Sequence, residues 1–471
     1  MEILTPARDV SGQAFYLGLV VAAIVASATP GMLHGQAPAI GAKNDRFATA
    51  KAIESSSPLR LESVYEELRT ANPRIQAAEA LARAARSRIS AAGLPPDPQV
   101  QFGWMNYELP SLKPMDVLGM KQLQVMQMLP LGGKLGLSRN IARARATSQS
   151  ERARDAWWEV RAQAAMPFYE LYRADQSLAV MRETLRLLGD IQAVTEAMYR
   201  VGSANQADVL RAQVEIAGMT EDTLRMQAMR SGMAERLNAI LDRQQQSPLA
   251  SPALPDFPKL VPNLDSLQRL AYMARPMLKA GASDVSAAQS MERLARKELL
   301  PDLQMGVQYG QQGKAITAGD MASGGTQRMG SLMIGASIPI FARSRQLNLR
   351  AEAAAMSEMA AADLASMRAD TRGAVGERYA DLNRSRRLAI LYRNTIIPQS
   401  RAAVASAFAA YRVGKVDFMT LLDDQMTVKK YRQELIQLEA EEGRAWAELE
   451  MLTGTALLDP AAISEQTGDN K

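Results

Sequence analysis

The sequence predicts a mainly α-helical chain with a small β part, built as a tandem duplication of one helix–hairpin–helix–helix unit. Three features point to this. Tyr199-Arg200-Val201-Gly202 recurs as Tyr411-Arg412-Val413-Gly414, an offset of 212. Upstream the same order holds with a slowly drifting offset. Leu61, Ser63, Ala71 and Pro73 match Leu264, Ser266, Ala274 and Pro276, Pro96-Asp97 matches Pro301-Asp302, and Leu129-Pro130-Leu131 matches Ile338-Pro339-Ile340. Duplication followed by small loop insertions leaves such a drift, and two copies are too few for a solenoid. Aromatics make up only 5% while Ala, Leu, Met, Glu and Arg dominate, the bias of long helices and coiled coils.

The elements follow in order. Residues 1–37 read as a signal peptide: Arg8 precedes an apolar run from Ala14 to Ala28, with small residues at Ala26-Ser27-Ala28 and near Gly35. About 15 apolar residues suit a secretory signal better than a membrane span, although a short retained anchor helix would read the same way. Residues 38–58 read as a linker. The first repeat, residues 59–243, opens with a helix from about Leu59 to Ala92, stopped by Gly93 and Pro95-Pro96. Between Gln99 and Pro130 the period changes to two, which predicts a hairpin of two strands of about nine residues around a loop with Pro110 and Pro114. Helical character is expected from Lys134 to Arg200, with Pro167 predicting a kink and not necessarily an end. Gly202 breaks it, and a return helix runs from about Gln206 to Asp242.

Residues 244–263, with five prolines, form the clearest linker. The second repeat, residues 264–455, follows the same plan. A helix covers about Leu264–Leu300, strands cover Gln304–Gln311 and Ser331–Ile338, and Gly-rich residues 313–330 lie between them. A long helix from about Ser344 to Tyr411 and a return helix from about Asp417 to Leu452 complete the copy. On the return helix Val428, Tyr431, Leu435, Leu438, Glu442, Ala445, Leu449 and Leu452 keep heptad spacing, with Glu442 the one polar exception. Residues 456–471 are a tail.

Composition removes whole classes of function. There is no cysteine and one histidine, His34, so disulfides, thiolate chemistry, zinc fingers, haem–histidine ligation and a Ser–His–Asp triad drop out together. No P-loop occurs, and neither a cofactor nor a bound metal is expected. The net charge of +5 is spread among interspersed acids and bases, which speaks against nucleic acid as a partner. The chain is expected not to be an enzyme.

Each hairpin strand has the length of a transmembrane β-strand, with one apolar and one polar or small face; a soluble hairpin with one wet face shares that pattern. An open sheet edge cannot sit in lipid, so four strands that span a membrane must be pooled between copies. A dimer gives eight strands and a filled interior; a trimer gives twelve and room for a pore.

With long helix, tip turn and return helix duplicated around such hairpins, residues 59–455 resemble the TolC family of trimeric outer-membrane channels. The specific pieces are Tyr-x-x-Gly before each return helix and Asp208-Val209-Leu210 after the first. Pro130-Leu131-Gly132-Gly133-Lys134-Leu135 resembles the strand-to-helix junction of the heavy-metal (CzcC- and CusC-like) branch. The resemblance implies a homotrimer with a twelve-stranded barrel among outer-membrane lipid and a periplasmic α-barrel tunnel. It also implies docking to a periplasmic adaptor and an inner-membrane pump, with the RND type favoured.

The resemblance assigns the periplasmic tip and adaptor contact to Tyr199, Val201, Gly202 and Ser203 in the first copy and to Tyr411, Val413, Gly414 and Lys415 in the second. The aperture gate falls on Asp208, Thr420, Asp423 and Asp424. Family channels carry acidic residues six and nine positions after the second-copy glycine; here those are Thr420 and Asp423, so one carboxylate ring is missing, with Asp417 and Asp424 nearby to compensate. The family's tip lock joins an arginine to a tyrosine and an aspartate. Tyr411 and Asp208 match, but Val416 stands in place of the arginine. Asp423 also reads as a solvated helix surface. The 27 methionines, several in the first hairpin (Met105, Met115, Met120, Met126, Met128), offer soft thioethers suited to Cu(I) and equally serve as adaptable packing. The expected function is therefore a passive exit duct of a tripartite efflux system for copper-type metal ions or other small toxic compounds. A duct for type I protein secretion and a periplasmic coiled-coil adaptor are the alternatives.

Overall fold

The structure, a computed structural model, describes residues 58–108, 110, 113–114, 119–312 and 327–458. The expected signal peptide, most of the N-terminal linker and residues 459–471 of the tail lie outside these, as do residues 313–326, Met115 and much of the first hairpin's loop.

Where one helix was expected at the start of each repeat, there are two. Helix α1 (Leu61–Ala71) ends at Asn72 and α2 (Pro73–Ala92) begins at the next residue. A residue before proline is pushed out of the helical region, and Asn72 is extended at φ −70°, ψ 120°. It then caps α2, its side-chain oxygen accepting the Arg74 N–H at 2.9 Å while its amide donates to the Ile240 carbonyl at 2.7 Å. The second copy breaks at the same place. Helix α5 (Leu264–Ala274) gives way to α6 (Pro276–Lys297) through an extended Arg275.

Six strands follow from the hairpins: β1 (Gln99–Met105), β2 (Tyr107–Glu108), β3 (Lys113–Pro114), β4 (Met120–Leu129), β5 (Asp302–Gln312) and β6 (Gln327–Ser337). Strands β2 and β3 pair with each other, and the rest form one antiparallel sheet in the order β1-β4-β5-β6. The register sets Phe102 against Leu123, Leu123 against Tyr309, and Val307 against Leu332. Residues directly opposite share a face, so one face carries an exposed apolar row that includes Val100, Phe102, Val125, Val307, Leu332 and Ile334. The other face is built of Gln, Met, Gly and Ser, with Asp302 at its end. At the sheet order's two ends, β1 and β6 each have a partner on one side only.

Helix α3 (Lys134–Arg200) is 67 residues long, the full length its punctuation predicts, and continues through a buried Pro167. Helix α4 (Gln206–Ile240) returns beside it. The second long helix is interrupted: α7 (Gln346–Leu391) and α8 (Ile397–Arg412) are joined by one π-turn, Tyr392–Ile396. Pro398 explains it. A proline inside a helix lacks the N–H and clashes with the carbonyl four residues back, and a wider turn relieves both. Helix α9 (Phe418–Thr453) closes the plan. Its heptad exception, Glu442, is buried with its apolar neighbours, and burial raises its carboxyl pKa.

The expected linker is a packed strap. Leu59 and residues 251–253 bridge in parallel, the Leu59 N–H donating to Ser251 at 3.0 Å and the Ala253 N–H to Leu59 at 2.9 Å. Leu249, Leu254 and Phe257 pack on a core of Leu61, Leu68, Phe168, Leu171 and Leu237. Phe257 also touches a second core around Trp446, Leu267, Val375 and Leu382.

Two buried charges tie the copies together. Lys134 opens α3 and donates to the Leu300 carbonyl at 3.0 Å and to the Asp302 carboxylate at 2.7 Å, so the first copy's strand-to-helix junction is pinned to the second copy's helix-to-strand junction. Gly132 beside it has φ +74°, and a Cβ there would lie 2.5 Å from Leu300 Cδ1; only glycine meets both demands. Further along α3, Arg161 donates to Glu450 Oε2 at 2.8 Å. Glu450 Oε1 accepts the Leu457 and Leu458 N–H groups at 2.8 and 3.0 Å, holding the end of the described chain against α9. Burial raises the Glu450 carboxyl and Arg161 pulls it back.

Replacing Arg161 with Met should therefore destabilise the protein by about 3–5 kcal/mol at pH 7, because a buried carboxylate loses its counter-ion. With the cation gone, burial is opposed only by the Leu457 and Leu458 N–H groups, and Glu450 takes up a proton at higher pH than before. The deficit should be full above that pKa and shrink as pH falls through it. Thermal unfolding of wild type and variant at pH 7 and pH 4.5 measures this; equal deficits at both would refute it.

Candidate functional site at the paired helix turns

Both long helices end in the same way. At the end of α3 the Gly202 N–H donates to the Tyr199 carbonyl at 3.0 Å and the Ser203 N–H to Met198 at 2.8 Å. At the end of α8 the Gly414 N–H donates to Tyr411 at 2.9 Å and the Lys415 N–H to Ala410 at 3.0 Å. This pair of bonds is the Schellman closure, which needs a left-handed residue after the cap. Gly202 and Gly414 supply it at φ +75° and +70°. A Cβ at either position would meet nothing within 4 Å, so backbone angle, not crowding, calls for glycine. Val201 and Val413 stand 75% and 66% exposed at the turns, and Gly202, Ser203, Gly414 and Lys415 are exposed as well.

Beneath the turns lies one shared apolar core. Leu188 and Ile191 of α3, Met219 of α4, Tyr411 of α8 and Phe418 and Leu421 of α9 meet there. The two tyrosines of the repeated motif have parted roles. Tyr199 is 45% exposed while Tyr411 is 5% exposed, its ring edge-on to Phe418 with centroids 6.0 Å apart. The Tyr411 hydroxyl lies 3.2 Å from Thr195 Oγ1. Thr195 already donates its proton to the Ile191 carbonyl at 2.9 Å, so Tyr411 is the donor. Val416 stands where the family has the arginine that links tyrosine and aspartate, and Tyr411 belongs to the packing under the turn, bonded to Thr195. Nothing in the linear sequence marks Thr195 as its partner, since 216 residues separate them.

The acidic residues are spread over the first turns of the return helices. Asp208 is half-buried in the first turn of α4, with its N–H donating to Asn205 at 3.1 Å. Asp423 is exposed and Asp424 half-buried on α9. Asp417 occupies the N-cap position of α9, and the Thr420 hydroxyl donates to its carboxylate. Thr420 thus serves the helix start. That hydroxyl, ahead of the neighbouring backbone N–H groups, holds the Asp417 carboxyl below its ordinary range. The Asp417-x-x-Thr420 spacing was the available signal for it. Charged pairs lace the helices behind the tip: Lys429 with Asp222 at 3.0 Å and Arg432 with Glu183 at 2.6 Å. Thr420→Val should remove the largest contribution, so Asp417 should titrate at a higher pH than in wild type. Carboxyl-detected NMR titration reads this directly, and an unmoved Asp417 would refute the assignment.

Among the described residues no helix is long and apolar enough to cross a membrane, and no cluster of three or more His, Cys, Asp or Glu side chains could hold a metal. The chain is similar in fold to a membrane protein from Pseudomonas aeruginosa at a TM-score of 0.71, with 18% identity over 84% of this chain and 93% of that one. It is similarly close to VceC from Vibrio cholerae, described as an outer membrane protein, at 0.70 with 15% identity over 84% and 96%. The channel CusC matches at 0.70 with 16% identity over 83% and 91%. A search of curated protein sequences finds no match. The family model described as outer membrane efflux protein matches residues 64–242 and 267–455, both repeats and most of the chain, and the chain therefore belongs to the outer membrane efflux protein family.

Proposed function

We propose that this channel is the exit duct of a tripartite efflux system, a homotrimer whose tips meet a periplasmic adaptor and, through it, an inner-membrane pump of the RND type. The chain is an outer-membrane duct with a periplasmic helical tunnel, not an enzyme. The observation that carries the reading is the sheet: an exposed apolar row on one face and one-sided pairing of β1 and β6. The apolar row is costly in water and the unpaired edges are costly in lipid, and both are resolved when three sheets close into one barrel in lipid. The cargo is proposed as small toxic solutes, with copper-type metal ions favoured by the methionine content.

The exposed turns around Gly202 and Gly414 are proposed as the adaptor contact. Valine at both glycines should spoil the turns through strained left-handed angles. The turns lie about 100 Å from the sheet at 1.5 Å per residue of α3, so trimers should still assemble. In cells lacking their own duct but carrying adaptor and pump, wild type should restore export and the double valine variant should not. Export that survives both substitutions would remove the turns from the contact.

Asp423 is proposed to supply a ring of three carboxylates at the tip aperture, since Thr420 carries no charge. Converting Asp423 to Asn should lower cation selectivity in planar-bilayer recordings. The effect should fade near 1 M salt, where the Debye length is about 3 Å. Unchanged selectivity at low salt would shift the aperture to other residues, Asp424 and Asp417 first.

A further inference from the structure

The sheet's second face has an unusual chemistry that only its register reveals. Across four successive rungs, from the one at Gln99 to the one at Met105, every residue on this face is Gln, Met, Gly or Ser. None carries a charge. One row further, Met128 stands opposite Gln304. Six methionines therefore share the amide face, while the apolar face, rich in Val, Leu, Ile and Phe, holds only Met305 among the described residues. A methionine used merely as apolar filler would be mixed with the aliphatic residues. Here it is segregated from them, onto the face that must line the lumen when the apolar row faces lipid.

Two of these thioethers converge. Gln99, Met126, Gly306 and Met333 form one rung, with the methionines on the strands either side of Gly306. A Cβ on Gly306 would lie 3.1 Å from Met126 Cγ and 3.4 Å from Met333 Cε. Both side chains thus lean over the same bare backbone. Gln124 Nε2 sits 3.9 Å from Met333 Sδ. Two rungs on, the theme recurs: Met120 Sδ comes within 2.7 Å of where a Gly310 Cβ would be, and Met329 pairs with Gly310 on the other side. The two glycines are four residues, about 13 Å, apart along β5.

Thioethers are soft neutral ligands that suit Cu(I) and Ag(I). Hard divalent cations prefer carboxylate and carbonyl oxygen in greater number, and these four rungs offer no carboxylate; the nearest on this face, Asp302, lies two rows from Gly306 and is bonded to Lys134. We propose that Met126 and Met333 of each protomer form a two-sulfur relay site for a soft monovalent cation, Cu(I) or Ag(I), on the inner wall of the barrel. The proposal rests on the reading of the chain as a duct for copper-type cargo and deepens it. A neutral two-ligand site holds such an ion loosely, as conduction requires: strong enough to admit it, weak enough to pass it on.

The test uses the full-length trimer in detergent, titrated with silver nitrate in halide-free buffer and examined by calorimetry and silver-edge X-ray absorption. Wild type should bind Ag(I) saturably with sulfur as the nearest neighbour. The M126L/M333L variant keeps side-chain volume and loses both sulfurs. It should bind about three fewer ions per trimer, one per protomer of a symmetric assembly, with potassium conductance unchanged. Binding equal to wild type, or silver with only oxygen and nitrogen neighbours, overturns the proposal. If that variant fails to assemble, Gly306→Ala decides: its Cβ parts the thioethers while keeping both sulfurs, so affinity should fall about tenfold, and unchanged affinity overturns the site. Copper export by whole cells separates the two readings. Export with silver binding unaffected by the leucines sinks the site alone, whereas loss of silver binding in a channel that exports no copper sinks the cargo reading alone.

Discussion

A sheet with two open edges cannot rest in lipid, and most of this molecule follows from that constraint. Within one chain β1 and β6 are each paired on one side only. In hydrocarbon every unpaired backbone N–H or C=O costs several kcal/mol, so the edges must find other chains. Three copies of four strands close a twelve-stranded barrel, which makes insertion and assembly parts of one process. The same closure gives each face its use: aliphatic and aromatic side chains outward, amides and thioethers inward.

The barrel must then hand over to helices without loosening, and the junction does this with a buried ion pair. Lys134 reaches from the first copy to Leu300 and Asp302 in the second. Gly132 and Gly133, both left-handed, let the chain turn from β4 into α3 at that point. Because Lys134 is buried and Asp302 half-buried, removing the carboxylate would cost more than the pair contributes. The junction is therefore better understood as fixing geometry between the copies than as adding stability. Midway along α3 close approach does similar work. A Cβ on Gly443 would lie 2.1 Å from the Tyr169 ring, so α9 is set tightly against α3 and Tyr169 is fully buried there.

The duplicated halves share turns but not stresses. Both helix turns use one Schellman geometry with glycine at the same step. Yet only the second long helix carries Pro398, and it alone has the π-turn. The paired tyrosines diverge too, Tyr199 outward and Tyr411 into the common core beneath both turns. Quasi-symmetric copies in one chain are free to diverge in this way, so one can present surface while the other anchors it.

Local backbone preference accounts for the features legible along the chain. Glycines at the ends of α3 and α8 and the period-two stretches mark turns, helix limits and strand faces, because each acts within a few residues. The full span of α3 and the turns at Gly202 and Gly414 were legible for that reason. The same local logic, applied incompletely, ran straight over Asn72-Pro73 and Arg275-Pro276, where proline and a capping side chain divide a helix, and over Pro398. The joining of distant segments is set by packing between them. The Pro-rich strap packs because Leu59 bridges it, Tyr411 donates to Thr195 across 216 residues, and Met126 and Met333 face each other over Gly306. These contacts rest on register and on packing between the copies, where one residue of slip would turn every strand side chain to the opposite face, and no short-range preference encodes that choice.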